Sequence, residues 1–290
     1  MIRYDPKNWF GLIFHTYSKQ VFIKLWPGLI GVGVLAGAVC VIELEVLHVE
    51  RNQSTALHSM LGFVLGLFLV FRTNTAYDRW WEGRKQWGAL VNNTRNLAIK
   101  IKAFSSDSSD QSFFRNMIPN FVIAMKEHLR EGVIDAELID GPNWQDENYQ
   151  KAVHKPNDIQ LRMYQKAEEM RKAGRLTPEQ MFLVDKEIKS FLDIIGACER
   201  IRNTPIPYSY SMYMKKFIFI YVSTLPLGFV VTFNYWTVPI VMLVFYILVS
   251  IELIAEEIED PFGKDDNDLP TDDLAVKITD NVREIFDKTA

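Results

Sequence analysis

The sequence predicts an all-α integral membrane protein with four transmembrane helices per subunit and a large helical cytosolic region. Apolar blocks at 25–42, 57–71 and 217–255 interrupt a chain that is otherwise polar. The third block is about twice as long as one membrane crossing needs, and the polar residues 234–237 divide it into two helices. Between 72 and 214, apolar side chains recur at helical spacing, which indicates folded helices rather than a disordered linker.

Composition and charge exclude several classes of protein. The chain is 48% hydrophobic and 13% aromatic, with a formal net charge of −4. A nucleic-acid-binding protein normally carries a basic excess, so no nucleic acid partner is expected. Cys40 and Cys198 lie far apart in different settings, which argues against a disulfide framework. No cleavable signal peptide is expected, because the first apolar block follows about 20 amphipathic residues.

The N-terminal residues 1–24 are predicted to hold an amphipathic helix from Pro6 to Ser18, with Asp5 as its cap. Its aromatic face is typical of a helix that lies at the membrane surface, and a soluble amphipathic helix is an equally good interpretation. Residues 25–42 carry no charge and are predicted to form the first transmembrane helix. Acidic residues from Glu43 onward are expected to end that helix.

The second apolar block, 57–71, is too short to face lipid alone and continues directly into a polar, aromatic segment. Gly62 and Gly66 stand four residues apart and predict one close-packing face. Phe63, Leu67 and Phe71 stand four apart on a neighbouring face. Such a stripe is commonly part of a core, and the alternative is that it is presented to another surface.

The polar middle of the chain is predicted to be a cytosolic helical region. The second helix is expected to continue to the Ser/Asp cluster at 105–110, which caps a helix at 111–130. Residues 132–157 read as a surface loop, followed by helices at 157–173 and from Pro178. Thr177 and Gln180 predict a capping box at the start of the last of these helices. The predicted divisions are 1–24, 25–72, 73–214, 215–256 and 257–290.

The distribution of basic residues predicts the orientation in the membrane. Lysines and arginines cluster before the first apolar block, after the second and before the third, which places all of them on one side. The positive-inside rule makes that side the cytoplasm. The chain is therefore expected in the cell inner membrane with both termini in the cytoplasm.

The segment 255–273, directly after the last apolar block, is dense in carboxylates. Pro261, Phe262 and Gly263 force a turn within it, and a turn lined by carboxylates can gather oxygens around a hard cation. A solvated acidic face is the alternative.

Sequence motifs for catalysis are not found. The chain has no phosphate-binding loop, no nucleophile elbow and no zinc-protease motif, and its five histidines are scattered singly. The sequence therefore does not predict an enzyme.

Three ordered motifs carry a resemblance to a known family: the run 71–84 (FRTNTAYDRWWEGR), Cys198-Glu199-Arg200 leading to Pro205-Ile206-Pro207, and the run 256–263 (EEIEDPFG). Together they resemble the bestrophin family in its bacterial form, over nearly the whole chain. The resemblance implies a homopentameric ion channel with a helical cytosolic vestibule around one axial pore. It also implies a hydrophobic pore neck at Phe63, Leu67 and Phe71.

Two further sites are implied by the same resemblance. A second, cytosolic constriction is expected near Met181 or Phe182. A calcium clasp like that of the animal channels would fall on Asp260, Asp265 and Asp268, with a backbone carbonyl near Glu257. This chain has Lys264 and Asn267 where those channels are acidic, so Ca²⁺ is a possible ligand, and no other cofactor is expected.

The mechanism implied by the resemblance is passive conduction of monovalent ions through rings of apolar side chains that resist wetting. Phe ring edges are positive and favour chloride and other anions. Acidic residues at the inner mouth would concentrate cations, so a monovalent cation channel of the same fold stays open. A secondary transporter and a membrane-bound enzyme are alternatives of another class; no internal repeat supports the first. Expected partners are other copies of the chain, the permeant ions and membrane lipid.

Overall fold

The computed structural model describes residues 16–48, 56–130, 132, 138–139 and 147–287. Every regular element within these ranges is helical, as the sequence predicts. The helices are α1 (Thr16–Val41), α2 (Ala56–Phe104), α3 (Ser108–His128), α4 (Glu147–Lys151), α5 (Lys155–Lys172), α6 (Pro178–Asn203), α7 (Tyr208–Phe233), α8 (Thr237–Glu259) and α9 (Thr271–Asp287). A π-helical turn (Ile42–Val46) follows α1, and a 3₁₀ turn (Asn234–Trp236) joins α7 to α8.

Three helical stretches are long and apolar enough to cross a membrane: Ile23–Val46, Ala56–Phe104 and Tyr208–Glu259. The last stretch consists of α7 and α8, and the 3₁₀ turn between them lies at the residues where the sequence predicts a break.

The chain divides into two compact units. The first comprises Met1–Arg79, Pro205–Glu259 and Asp265–Asn267. In it α1 packs against both α7 and α8, and these two helices pack against each other. Its main core consists of Ala36, Leu65, Leu69, Met214, Ile218, Val222, Leu225 and Val241.

Glycines allow close helix contacts in this first unit. A Cβ atom on Gly33 would lie 3.0 Å from the sulfur of Met242, and one on Gly62 would lie 2.6 Å from the hydroxyl oxygen of Tyr221. Apart from the adjoining residues and the backbone of the same helix, no described atom lies within 4 Å of a Cβ placed on Gly37 or Gly66. Of the predicted pair Gly62 and Gly66, therefore, Gly62 packs within the chain, and Gly33 does the same in α1.

The predicted bounds of the first transmembrane helix are too short at both ends. α1 is already helical at Thr16, since no glycine or proline separates residue 18 from residue 25. Residues 16–18 therefore belong to α1 rather than to the end of a separate helix; the rest of the predicted amphipathic helix and residues 49–55 of the outer loop lie outside the described residues. Glu43 does not end the helix, because the chain continues through it as a π-helical turn. Glu45 accepts a hydrogen bond from the Tyr235 hydroxyl at 2.8 Å.

The second unit comprises Trp80–Thr204, Asp260–Lys264 and Asp268–Ala290. α3 packs against α5 and α9, and α5 packs against α6. Side chains of α2, including Trp87, Leu90, Leu97 and Ile101, share one core with these helices. Both predicted caps are confirmed: Asp107 accepts hydrogen bonds from the first turn of α3, and Thr177 and Gln180 form a capping box at α6.

The predicted loop at 132–157 is partly helical. α4 lies inside it, and α5 begins at Lys155. Tyr149 of α4 is fully buried, so packing of this aromatic side chain holds a segment whose Asn and Asp content suggested a loop. Buried Asn120 also pairs with the backbone of Ile139, donating to its carbonyl and accepting from its amide.

Candidate functional site

Helix α2 has two faces of different exposure in the first unit. Phe63, Leu67 and Phe71 are 75%, 47% and 55% exposed. Leu65 and Leu69 are buried in the core of the unit. Two residues along a helix rotate the side chain by about 200°, so the exposed stripe lies nearly opposite the buried face. The stripe is thus outside the core of its own chain and is available to lipid, to another copy of the chain or to an aqueous path.

Directly after the last residue of this stripe, Arg72 is buried among acidic side chains. Its Nη2 lies 2.7 Å from Glu259 Oε2, and its Nε lies 3.5 Å from Glu252 Oε1. Only 1% of the Arg72 side chain is exposed. A buried guanidinium needs such partners, because leaving a charge unpaired away from water is costly.

Glu259 is the centre of this ionic group. Its Oε1 accepts a hydrogen bond from the backbone amide of Ile206 at 2.7 Å, and its backbone carbonyl accepts one from Arg79 Nε at 3.0 Å. Sequence reasoning used Arg72 only as a marker of membrane orientation. Glu252 and Glu259 are seven residues apart and share one face of α8, but the sequence predicted that the last apolar block ends at residue 255, before Glu259.

The turn Pro261–Phe262–Gly263 is fixed inside the second unit. Phe262 is 1% exposed, and a Cβ atom on Gly83 would lie 3.1 Å from two atoms of its ring. Glycine at position 83 therefore gives the turn room to pack against α2. Arg130 Nε donates to the Phe262 carbonyl at 3.3 Å, and the Leu269 amide donates to the Pro261 carbonyl at 2.9 Å.

The residues of the expected calcium clasp differ in their surroundings. Asp268 is buried, and its Oδ2 would lie 2.7 Å from a Cβ on Gly263, whereas Asp260 and Asp265 are exposed. Asn267, which replaces an acidic residue of the animal channels, donates to Glu257 Oε2 at 2.8 Å. The assignment of calcium to this segment stays a prediction.

The residues expected at the cytosolic constriction lie in the first turns of α6. Met181 is half-buried and packs against the core of the second unit, whereas Phe182 is 74% exposed. Of the two, Phe182 has the side chain that is available to line a passage.

Two histidines that sequence reasoning treated as single lie together in the second unit. The Nε2 atoms of His128 and His154 each lie 2.7 Å from Glu199 Oε1. Burial raises the pKa of Glu199, but the hydrogen bonds to the two histidines outweigh it and hold that pKa below its ordinary value. These residues lie 26 and 45 positions apart, so no local spacing could have predicted the cluster.

The adjacent Cys198 is not part of this cluster. Its side chain is buried, and burial raises the pKa of the thiol to about 12, helped by the negative charges of Glu199 and Glu82. The thiol therefore stays protonated. Neither Cys198 nor Cys40 is in a disulfide.

Comparison with known proteins gives a consistent family. The sequence pattern of the bacterial/fungal bestrophin proteins matches residues 1–284. A voltage-dependent anion channel-forming protein of Nostoc sp. (strain PCC 7120) is 34% identical over 288 residues, which cover 96% of this chain and 92% of that protein. The voltage-dependent anion channel-forming protein YneE of Escherichia coli (strain K12) is 28% identical, with 99% and 95% covered.

A solved structure has the same fold. A crystal structure of a bacterial bestrophin homologue from Klebsiella pneumoniae aligns with a TM-score of 0.84 at 23% identity, and the alignment covers 91% of this chain and 100% of that one. The matched sequence pattern and the Nostoc relative show that the chain belongs to the bacterial/fungal bestrophin family.

Proposed function

We propose that this protein is an anion channel that assembles as a homopentamer and conducts monovalent ions passively through one axial pore. Membership of the bestrophin family supports a channel rather than an enzyme. The Nostoc and E. coli relatives are both named as voltage-dependent anion channel-forming proteins, which supports the choice of ion. A secondary transporter and a membrane-bound enzyme are the alternatives of another class.

The observation that carries the proposal is the exposed apolar stripe of α2. Phe63, Leu67 and Phe71 would place five apolar side chains at each of three levels, about 6 Å apart along the helix. Such rings offer an ion no replacement for its hydration shell, so conduction depends on the width and wetting of the neck. The opposite face of α2 is already occupied by the core of the unit, which leaves this face to meet the axis.

Anions are favoured by the chemistry of the proposed neck. Phe63 and Phe71 would present positive ring edges to an ion on the axis. The net charge of −4 and the acidic segment 255–273 act in the other direction. A monovalent cation channel of the same fold is therefore the second candidate, and it differs only in the sign of the permeant ion.

The proposed arrangement in the inner membrane has four crossings: α1, the apolar start of α2, α7 and α8. Basic residues adjoin the ends that would face the cytoplasm, as in Lys215 and Lys216 near the start of α7. Both termini would then lie in the cytoplasm. Phe182 is the proposed side chain of a second constriction, and Asp260, Asp265 and Asp268 are the proposed calcium residues.

The test is a reversal potential measured with purified protein in a planar bilayer under a potassium chloride gradient. An anion channel reverses near the equilibrium potential of chloride, and a cation channel reverses near that of potassium. Flux from sealed liposomes separates the classes, because a channel gives fast, unsaturated flux and a transporter gives saturable flux. No conductance and no flux in either assay would refute the proposal.

A further inference from the structure

We propose that His128, His154 and Glu199 form a binding site for a divalent transition-metal ion of the zinc type. The ligand atoms of the three side chains lie within 4.8 Å of one another. They come from the last residue of α3, the residue before α5 and the second half of α6. The site belongs wholly to the second unit and does not depend on the proposed channel function.

The donor atoms indicate the class of metal. Two imidazole nitrogens and one carboxylate oxygen suit Zn²⁺, Co²⁺ or Ni²⁺, whereas Ca²⁺ and Mg²⁺ are held by oxygen ligands. The set of two histidines and one glutamate leaves one position of a tetrahedral ion open to water. Each of the three side chains is about a quarter exposed, at 23%, 26% and 28%, so an ion and its water can reach them.

The geometry needs only a small adjustment to hold an ion. Each histidine Nε2 lies 2.7 Å from Glu199 Oε1, a hydrogen-bond distance. Ligand atoms about 2.1 Å from a tetrahedral ion are about 3.4 Å apart, so each of the two histidine–Glu199 pairs must separate by about 0.7 Å. Glutamate rotates about several side-chain bonds, and the carboxylate of Glu199 can withdraw by this amount without moving α6.

His154 has a second role that the proposal must accommodate. His154 is the N-cap of α5, and its Nδ1 accepts a hydrogen bond from the Asn157 amide at 3.2 Å. An ion on Nε2 requires the neutral ring to carry its proton on Nδ1, which ends that hydrogen bond. The Asn157 amide keeps a second acceptor, the His154 carbonyl at 3.1 Å, so it is not left unpaired. The hydrogen bond to Nδ1 that is lost is long, at 3.2 Å, and the new bond from Nε2 to the metal offsets its loss.

A metal here would add a direct link between three segments whose helices already pack around one core. The histidine rings already lie close together, with centroids 4.3 Å apart. Arg202 holds the adjoining backbone, since its Nη1 donates to the His128 carbonyl at 2.9 Å. The ends of α3 and α5 are thus fixed beside α6 before any ion binds, which is the preorganisation that favours tight binding.

The test measures metal binding by the full-length protein in detergent after treatment with a chelator and exchange into metal-free buffer. Titration calorimetry with ZnCl₂ should give one site per chain, and CaCl₂ should give no heat at that site. Loss of a second-sphere partner alone typically weakens metal affinity about 10- to 100-fold, so removing a ligand should weaken zinc binding by at least about tenfold. The ligand variants are His128→Gln, His154→Ser and Glu199→Gln.

The variant His154→Ser separates metal binding from helix capping, because serine is a good N-cap and a poor zinc ligand. It should keep the melting temperature of the metal-free protein and lose the zinc site. Absorption of Co²⁺ in the visible region provides a readout that is independent of stability, and its intense four-coordinate bands should disappear in each ligand variant. Zinc affinity and cobalt spectra that are unchanged in all three variants would overturn the proposal, and so would an absence of zinc binding by the natural protein.

Discussion

Arg72 Nη2 lies 2.7 Å from Glu259 Oε2, and the two side chains are only 1% and 13% exposed. This ion pair connects the first half of α2 to the last residue of α8. Since Glu259 also accepts the Ile206 amide, one carboxylate fixes both the helix and the Pro205–Pro207 segment. Two of the sequence motifs that identify the family, at 71–84 and 256–263, therefore meet through this pair within the first unit.

Replacing Arg72 with Ala should destabilise the fold strongly. Removing one partner of a buried ion pair leaves the other charge uncompensated and typically costs about 3–5 kcal/mol. The measurement is the melting temperature of the purified protein in detergent. The control is Lys215→Ala: Lys215 pairs with Glu256 at 3.1 Å, but both side chains are half exposed, and such pairs contribute about 0–1 kcal/mol. Equal melting of the two variants would contradict a structural role for the Arg72 pair.

Replacing Gly83 with Ala should destabilise the packing of the Pro261–Phe262–Gly263 turn. The new Cβ would lie 3.1 Å from two Phe262 ring atoms and 3.2 Å from Pro261 Cγ. Overpacking of this kind typically costs about 1–3 kcal/mol. The measurement is the melting temperature of Gly83→Ala, compared with that of the control variant described next.

The matched control for Gly83→Ala is Gly88→Ala in the same helix. There the new Cβ would meet only the end of the flexible Arg84 side chain, at 3.4 Å. Alanine is favoured over glycine inside a helix by about 1 kcal/mol, and this gain applies to both positions. Gly88→Ala should therefore hold or raise the melting temperature. A Gly83→Ala protein as stable as Gly88→Ala would exclude the tight contact.

The parts of the fold that the sequence predicted well are those that depend on local signals. The caps at Asp107 and Thr177 were predictable because a capping side chain bonds to amides two or three residues away. The break at 234–236 was predictable because polar residues divide an apolar block that is too long for one helix. Both follow from neighbouring residues alone.

The features that the sequence analysis missed depend on the three-dimensional packing of the chain. The apparent loop at 132–157 contains α4, whose Tyr149 is buried in the core of the second unit. The histidine cluster joins His128, His154 and Glu199, whose positions have no shared period. Burial of Arg72 likewise needed knowledge of where Glu259 lies. Pairwise contacts of this kind leave little trace in a single sequence.

Acid should weaken the contact between α3 and α9 through Asp272. Its Oδ2 lies 2.6 Å from Arg130 Nη2, and its Oδ1 lies 2.9 Å from Lys126 Nζ. The hydrogen bond from Arg130, with that from Lys126, outweighs burial and holds the pKa of Asp272 well below its ordinary value. A lowered pKa means that the stabilisation is complete above the ordinary pKa near 4 and is lost as the pH falls below it.

The variant Asp272→Asn tests this pH dependence. At pH 6 it should melt below the natural protein, and the difference should shrink as the pH falls below about 4. Asp280→Asn, which removes a carboxylate from the same helix, is the control. A difference between Asp272→Asn and the natural protein that stays constant down to pH 3 would show that charge at Asp272 is not the cause.

Calcium should raise the melting temperature if Asp260, Asp265 and Asp268 gather a cation. Asp265→Ala should then abolish the increase, because the carboxylate supplies two of the oxygens a hard cation requires. Asp266→Ala, which removes the neighbouring charge, should leave the increase in place. Equal melting of the natural protein with calcium and with a chelator would favour the alternative, a solvated acidic face.

The proposed neck makes the sharpest prediction, since pore and core positions on one helix should respond in opposite ways. Leu67 is 47% exposed and Leu65 is fully buried, two residues away. Leu67→Ala should widen the middle ring, ease its wetting and raise the single-channel conductance, with little loss of stability. Leu65→Ala should instead cost about 2–5 kcal/mol and leave the conductance of the folded channel unchanged.

The two variants are compared by single-channel recording and by thermal melting of the same preparations. Each serves as the control for the other, because both shorten one leucine on the same turn of α2. If Leu67→Ala lowers the melting temperature as much as Leu65→Ala does and leaves the current unchanged, the stripe is buried between subunits. The pore would then lie on another face of α2, because only a side chain that narrows the path can change the current when it is shortened.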